Sequence, residues 1–309
     1  MPPLRPATRR RAGLAALALS VACARTAGQP PPLPPPIEQP DPPADPQARP
    51  PPVWGVTVDD PWNLAPTVDA LSRLPVRATA RVVFDEGQRA ADYAPLVAEL
   101  HRVSDVLGEL LDSFYVPTLS PAEYVARAEE YLDALGDDVD LWEVGNEVNG
   151  EWLGATADVV AKVRGAHEAV RSRGKRSALT LYYNDGCWAS ADHEMFAWTE
   201  ANLPEDLRRG IDLLLVSYYA EDCDGPPPDW AQVFARLAPL FPEARLGLGE
   251  SGTRDAARKE EVLRATYALR LPAEPRFVGG YFWWYFSDDM VPASRPLWDV
   301  LAEVVADPW

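Results

Sequence analysis

From Val53 onward, the sequence alternates eight times between a short apolar run and an amphipathic stretch. The short runs predict buried strands, and the amphipathic stretches predict helices. The strand candidates are Val53–Val58, Val76–Phe84, Val106–Leu111, Leu141–Asn146, Ala178–Tyr183, Leu213–Tyr219, Arg245–Glu250 and Val278–Trp284. The helix candidates are Pro66–Arg73, Tyr93–Arg102, Pro121–Leu135, Ala155–Ser172, Asp192–Asn202, Asp229–Leu240, Ala257–Leu271 and Pro296–Val305.

Regular alternation of strands and helices implies a parallel sheet, because each crossover between parallel strands needs a long connection. Eight such units in the 257 residues from Val53 to Trp309 favour a closed barrel over an open sheet. No second Pro-rich or Gly-rich linker divides this part of the chain. We therefore predict the α/β class, with residues 53–309 folded as a single (β/α)8 barrel.

The first 52 residues have a different character. Three arginines, Arg9 to Arg11, precede the apolar run AGLAALALSVA and Cys23, an order typical of a secretory signal peptide in residues 1–23. The segment LALSVAC resembles a bacterial lipoprotein signal, which implies lipidation of Cys23; secretion without a lipid is the alternative. Thirteen of the 23 residues from Pro30 to Pro52 are Pro, so residues 24–52 are predicted to form a disordered linker.

The charge of the chain restricts its partners. It carries 29 Lys and Arg against 47 Asp and Glu, a formal net charge of −18. Affinity for nucleic acid comes mainly from basic side chains that neutralise phosphates, so nucleic acid is not an expected partner. Anionic lipid head groups also repel such a chain, so we expect membrane contact through the lipid anchor only. The protein is expected to be a monomer.

Two of the predicted strands end in a motif that contains glutamate. These motifs are WEVGNEVN, Trp142–Asn149, at the fourth strand and LGLGESG, Leu246–Gly252, at the seventh. They resemble the acid/base and nucleophile motifs of the clan of retaining glycoside hydrolases built on (β/α)8 barrels, whose chemistry takes place where the strands end. The resemblance implies that Glu147 is the general acid/base, that Glu250 is the nucleophile, and that the substrate is a poly- or oligosaccharide.

The same resemblance implies roles for residues that support the nucleophile and bind the sugar. Arg81 is expected to pair with Glu250, and a structural ion pair with Glu143 is the alternative. Tyr219 is expected to donate a hydrogen bond to Glu250, and Asn146 to bind the 2-hydroxyl of the sugar.

An aromatic floor is expected at the eighth strand. Trp284 would stack on the apolar face of a pyranose, while its neighbour Trp283 faces the helices. Asp112 and Ser113, which follow the third strand, are expected to line the cleft.

The sequence implies neither a metal nor a cofactor. The G-x-G-x-x-G pattern at Gly247–Gly252 lies at the seventh strand and carries an acid at its fourth position, which would repel a phosphate. His101, His167 and His193 lie in helical patterns without an H-E-x-x-H motif, so we expect them on surface helices. The alternative function is a non-catalytic carbohydrate-binding or envelope-associated barrel lipoprotein. The presence of both glutamates favours the hydrolase.

Cys187 and Cys223 are the cysteines that remain after residue 23. Cys187 follows the predicted fifth strand, and Cys223 follows the sixth, each about four residues beyond the end of its strand. These two strands are neighbours in a barrel. An exported protein can hold a disulfide, so we predict a bridge between Cys187 and Cys223. Two unlinked thiols are the alternative.

Overall fold

Residues 50–222 and 227–307 are described by a computed structural model of the protein, and they belong to one compact unit. The predicted signal peptide, Cys23 and the linker up to residue 49 lie outside the described residues.

Eight parallel strands form a closed barrel in chain order. They are β1 (Val53–Val58), β2 (Thr79–Val83), β3 (Asp105–Glu109), β4 (Leu141–Glu143), β5 (Ser177–Tyr182), β6 (Leu213–Tyr218), β7 (Arg245–Ser251) and β8 (Phe277–Trp283). The pairing of β1 with β8 closes the barrel. The predicted (β/α)8 fold is therefore confirmed for the described part of the chain.

Helices follow the strands, and two of them were not predicted. The α-helices in the described residues are α1 (Leu64–Ser72), α2 (Ala90–Val103), α3 (Pro121–Leu135), α4 (Thr156–Ser172), α5 (Met195–Asn202), α6 (Glu205–Gly210), α7 (Trp230–Leu240), α8 (Lys259–Tyr267), α9 (Phe286–Met290) and α10 (Pro296–Ala306). The short helices α6 and α9 lack a sequence counterpart. Helix α3 begins at the predicted Pro121 because Ser120, the residue before it, forms a capping box with Glu123 in the first turn.

Apolar side chains fill the barrel interior toward the amino-terminal ends of the strands. This inner cluster consists of Leu107, Leu141, Ala178, Leu213, Leu215, Val278 and Phe282. Side chains two residues apart on a strand point to the same side, so Glu109 lies above Leu107, and Glu143 lies above Leu141. The polar layer that begins with these two glutamates sits at the carboxyl ends of the strands, and the larger cluster between strands and helices supports it from outside.

Among the described residues, no helix has the length and apolar character that crossing a membrane requires.

Candidate active site

Glu250 lies within β7, and Glu147 lies four residues beyond the end of β4. Both side chains belong to buried residues, which are 5% and 7% exposed respectively. Asn146 connects the two strand ends, because its Nδ2 donates a hydrogen bond of 2.9 Å to Oε1 of Glu250. The fold thus brings the two sequence motifs, which are about 100 residues apart, to one end of the barrel.

Three donors surround the carboxylate of Glu250. Besides Asn146, the hydroxyl of Tyr219 donates to Oε2 at 3.0 Å, and the guanidinium of Arg81 lies 2.9 Å from Oε1. Burial raises the pKa of Glu250, and Arg81 opposes this shift by favouring the charged form. The environment therefore orients the carboxylate and supplies a cation against its charge.

Arg81 also contacts two other buried carboxylates. It forms a bidentate pair with Glu143, at 2.6 and 3.1 Å, and its Nη2 lies 3.0 Å from Glu109. The pairings with Glu250 and with Glu143 that the sequence offered as alternatives both occur. Glu109 was not among the predicted site residues, although it lies two residues after Leu107 and so faces the same side of the strand.

One guanidinium cannot balance three ionised carboxylates in a buried site. Burial raises the pKa of Glu109 well above its ordinary value, and the charges of Glu143 and Glu250 add to the shift, whereas Arg81 opposes it. No hydrogen bond to either carboxyl oxygen of Glu109 is made by the described residues. The site therefore favours the protonated form of Glu109.

Glu147 has a different environment. Its Oε2 accepts a hydrogen bond of 2.9 Å from the hydroxyl of Ser113, a buried residue that begins a 3-10 helix at Ser113–Thr118. Burial raises the pKa of Glu147 well above its ordinary value, the charge of Glu250 adds to the shift, and Ser113 opposes it. This carboxyl is therefore suited to carry a proton at neutral pH, as a general acid must.

The backbone of Glu147 is unusual, since its φ of 50° lies in the left-handed region. A non-glycine residue adopts this conformation at a cost of roughly 1–3 kcal/mol, and such residues cluster at functional sites. The strained turn directs the chain away from β4 immediately after Asn146.

Trp284 is partly exposed just after β8, and its ring lies 6.0 Å from the Arg81 guanidinium carbon. It lines a cavity of about 140 Å³ with Tyr219, Glu221, Asp222, Arg254 and Tyr285. The adjacent Trp283 is buried, and its Nε1 donates to Asp289 of α9 at 3.0 Å. The two tryptophans therefore point to opposite sides of the strand, with Trp284 toward the site.

Asp112 lies at the rim of the same site. Its carboxylate caps the 3-10 helix by accepting a hydrogen bond of 2.7 Å from the backbone N–H of Phe114. Its charge acts on both Glu147 and Glu250, raising the pKa of each. Asp112 is thus close enough to influence the pair electrostatically, while its hydrogen bond orders the Ser113 loop.

The histidines lie apart from these carboxylates. His167 was expected at the surface, but it is buried, and its Nδ1 lies 3.0 Å from the hydroxyl of Ser177. His193 contacts the carbonyl of Asn149. In residues 50–222 and 227–307, no group of three or more His, Cys, Asp or Glu side chains is arranged to hold a metal ion.

Cys187 lies on the loop after β5, with its Sγ 2.9 Å from the carbonyl oxygen of Asp222. Asp222 precedes Cys223, which lies outside the described residues. The predicted Cys187–Cys223 bridge therefore remains a prediction.

Comparisons with known proteins give likenesses in fold. No protein-family model matches the sequence, and no curated protein matches it. Solved structures similar in fold include a beta-glucosidase, with a TM-score of 0.53 and 13% identity over 82% of this chain and 98% of that one. They also include a GH18 chitinase from Pseudoalteromonas aurantia, with a TM-score of 0.52 and 13% identity over 82% of this chain and 99% of that one.

A further likeness is to Saccharomyces cerevisiae Gas2p in complex with laminaritriose and laminaritetraose. Its TM-score is 0.52 at 18% identity, over 84% of this chain and 65% of that chain. At such low identities, these likenesses establish the eight-stranded parallel α/β barrel that this chain shares with glycoside hydrolases.

Proposed function

We propose that this protein is a retaining glycoside hydrolase that cleaves O-glycosidic bonds in a poly- or oligosaccharide by double displacement. The observation that carries the proposal is the contrast between its two buried glutamates. Arg81, Tyr219 and Asn146 contact Glu250, and Arg81 and Tyr219 oppose the rise that burial causes in its pKa. Glu147 is hydrogen-bonded by the neutral Ser113, and burial raises its pKa well above the ordinary value. Environments that differ in this way separate a nucleophile from an acid.

In the first step, a carboxylate oxygen of Glu250 attacks the anomeric carbon while the bond to the leaving oxygen breaks. Glu147 gives its proton to that oxygen, so the leaving group departs as a neutral hydroxyl. In the second step, Glu147 takes a proton from water, and the resulting nucleophile replaces Glu250 at the anomeric carbon. Two inversions give net retention, and the mechanism needs the two carboxyls about 5–5.5 Å apart.

Neighbouring residues support both steps. The Oδ1 of Asn146 is buried and has no hydrogen-bond partner among the described residues, so it can accept a hydrogen bond from a sugar hydroxyl. Trp284 provides an aromatic face beside Arg81, a partner of Glu250, on which a pyranose can stack. Tyr219 and Arg81 hold the nucleophile in one orientation through the step in which it loses its charge.

The alternative is a barrel that binds carbohydrate without turnover. A binding protein does not need a buried acid with a raised pKa facing a charged carboxylate, and burying both groups is costly. The likeness of the fold to a beta-glucosidase, a chitinase and the laminarioligosaccharide-bound Gas2p supports carbohydrate as the substrate class.

A panel of aryl glycosides and polysaccharides, including laminarioligosaccharides, tests the proposal on the wild-type protein. We expect hydrolysis of at least one substrate, with the first-formed product seen by NMR to keep the anomeric configuration of the substrate. A first-formed product of inverted configuration would contradict the retaining mechanism. Binding of an oligosaccharide without any turnover would favour the alternative.

We also propose that the protein is exported as a monomer, lipidated at Cys23 and bridged between Cys187 and Cys223. Mass spectrometry of unreduced protein from its native envelope tests both modifications. We expect a first peptide that begins at a lipid-modified Cys23, and a linked pair of peptides containing Cys187 and Cys223. An unmodified N-terminus further along the chain would contradict lipidation, and two free thiols would contradict the bridge.

A further inference from the structure

Large exposed hydrophobic side chains occur at one end of the barrel. Among the described residues they are Trp62, Phe114 and Trp152, which are 46%, 72% and 42% exposed. Trp62 follows β1, Phe114 follows β3 and Trp152 follows β4, so all three lie in the segments after the carboxyl ends of the strands, Phe114 and Trp152 in short 3-10 helices. Exposed aromatic rings beside a layer of carboxylates suit a ligand with polar edges and apolar faces, which describes a pyranose.

Trp152 is connected to the acid/base by two consecutive hydrogen bonds. Its Nε1 donates to the hydroxyl oxygen of Ser113 at 3.1 Å, and that hydroxyl donates to Oε2 of Glu147 at 2.9 Å. The indole N–H occupies an acceptor position of the hydroxyl and so directs the Ser113 proton toward Glu147. The link joins an exposed ring to a buried catalytic carboxyl.

The position of the Trp152 ring is well defined. It packs edge-to-face against Tyr182, with ring centroids 5.4 Å apart. A Cβ atom at Gly150 would lie 2.6 Å from the ring, so glycine at this position permits the close approach. A ring held by a hydrogen bond, an aromatic contact and the backbone can present the same face to each ligand at little entropic cost.

We infer that Trp152 is the stacking platform for the sugar that leaves in the first step, and that Ser113 is a positioning residue linking this platform to Glu147. The inference rests on the proposed function. Glu147 must reach the oxygen between the two sugars, so the leaving sugar lies on its side of the cleft. A sugar bound on the Trp152 ring keeps the indole in place. The hydrogen bonds from the indole to Ser113 and from Ser113 to Glu147 then keep Glu147 in the orientation that protonation requires.

This assignment predicts that the effect of a Trp152 variant depends on the leaving group. A 2,4-dinitrophenolate leaves without protonation and does not need a sugar platform. A sugar leaving group needs both. Residues that hold the glycone or the nucleophile affect the two substrates alike, because the glycone is the same in both.

The test uses two substrates with one glycone, the 2,4-dinitrophenyl glycoside and the oligosaccharide one sugar longer. In Trp152→Ala, we expect kcat/KM to fall about 10- to 100-fold on the oligosaccharide and less than about threefold on the dinitrophenyl glycoside. Trp62→Ala is the matched control: Trp62 is also an exposed tryptophan with an Nε1 hydrogen bond, but its acceptor is Asp85. In that control, the two substrates should change by the same factor.

The hydrogen bonds have a separate readout in the pH profile. In Ser113→Ala, the carboxylate of Glu147 loses a donor that favours its charged form, so the pKa of Glu147 rises and the alkaline limb of kcat/KM moves to higher pH. Trp152→Phe keeps an aromatic ring but lacks the N–H, so it should shift the limb in the same direction by less. Both variants keep the other titratable groups that interact electrostatically with Glu147. These groups are Glu250, Asp112, Arg81, Tyr182 and Tyr219.

The outcomes separate this inference from the proposed function. A wild-type protein without turnover on any glycoside would refute the function itself. An active wild type in which Trp152→Ala slows both substrates equally, or neither, would overturn the leaving-sugar platform alone. An alkaline limb that stays in place in both Ser113→Ala and Trp152→Phe would overturn the positioning role. Thermal unfolding of each variant shows whether any equal loss comes from misfolding.

Discussion

Glu250→Ala should lower kcat by a factor of about 10⁵ or more while the protein remains folded. The variant lacks the group that attacks the anomeric carbon, and the described site offers no second carboxylate with the same three donors. Folding should survive, because Arg81 keeps Glu143 and Glu109 as partners and is not left as an uncompensated buried charge. Steady-state kinetics on the best substrate of the panel and the thermal unfolding midpoint measure the two effects.

Azide distinguishes the loss of a nucleophile from general damage. In Glu250→Ala, azide can enter the vacated space and form a bond to the anomeric carbon as the leaving oxygen takes the proton of Glu147. The glycosyl azide should have the inverted configuration. Glu147→Ala is the matched variant: azide there attacks the glycosyl-enzyme on Glu250, so its product should retain configuration. Near wild-type kcat in Glu250→Ala, or the opposite stereochemistry in the two variants, would exclude the assignment.

The sequence predicts the barrel well because the fold depends on a repeated pattern. Strand β1 and helix α3 begin and end at the predicted residues, and the other strands lie within a few residues of their predictions. One error at the active site is at β4, which ends at Glu143 rather than continuing to Asn146. Its apolar pattern continues through Val144, but the chain turns there and carries Glu147 into the left-handed region. Alternation of side chains does not reveal a turn that tertiary contacts impose.

Sequence motifs identify some of the candidate site residues, whereas others become evident only from contacts in the folded protein. Glu147, Glu250 and Tyr219 lie in short motifs at strand ends, and their proximity follows from the barrel topology. Trp152 lies five residues after Glu147, and its contact with Ser113 depends on how the segments that follow β3 and β4 pack against each other. No local pattern encodes such a contact, so sequence analysis could not find it.

Arg81 shows how a sequence can offer alternatives that are both correct. Its position on β2 allows an inward orientation, and the sequence offers Glu143 or Glu250 as its partner. The guanidinium has donors on several nitrogens and contacts both, together with Glu109. The sequence offered one partner at a time, whereas the buried guanidinium of Arg81 contacts three carboxylates from three different strands.

Arg81→Met should therefore have the second large effect, on both stability and activity. Removing the cation leaves Glu109, Glu143 and Glu250 buried without it, and breaking such a buried pairing costs about 3–5 kcal/mol. For a domain of this size, we expect the thermal unfolding midpoint to fall by on the order of 10 °C. Activity should fall by about 10²-fold, because the nucleophile loses a contact that favours its charge. Arg102→Met is the control, since Arg102 forms an exposed ion pair with Glu99 that is worth about 0.5 kcal/mol or less.

The loss of stability in Arg81→Met should also grow as pH rises. Burial already raises the pKa values of Glu109 and Glu250 above the ordinary glutamate value of about 4.3, and Arg81 opposes this rise, so in the variant the pKa values of these two carboxyls lie higher still. Between the ordinary and the raised pKa values the unfolded chain releases protons that the folded protein retains, so stability falls as pH increases through that window. The difference in unfolding midpoint between wild type and variant should thus be smaller at pH 5 than at pH 8. A difference that is independent of pH, or no larger than that of Arg102→Met, would mean that Arg81 does not balance these carboxylates and that the nucleophile is kept charged by its uncharged donors alone.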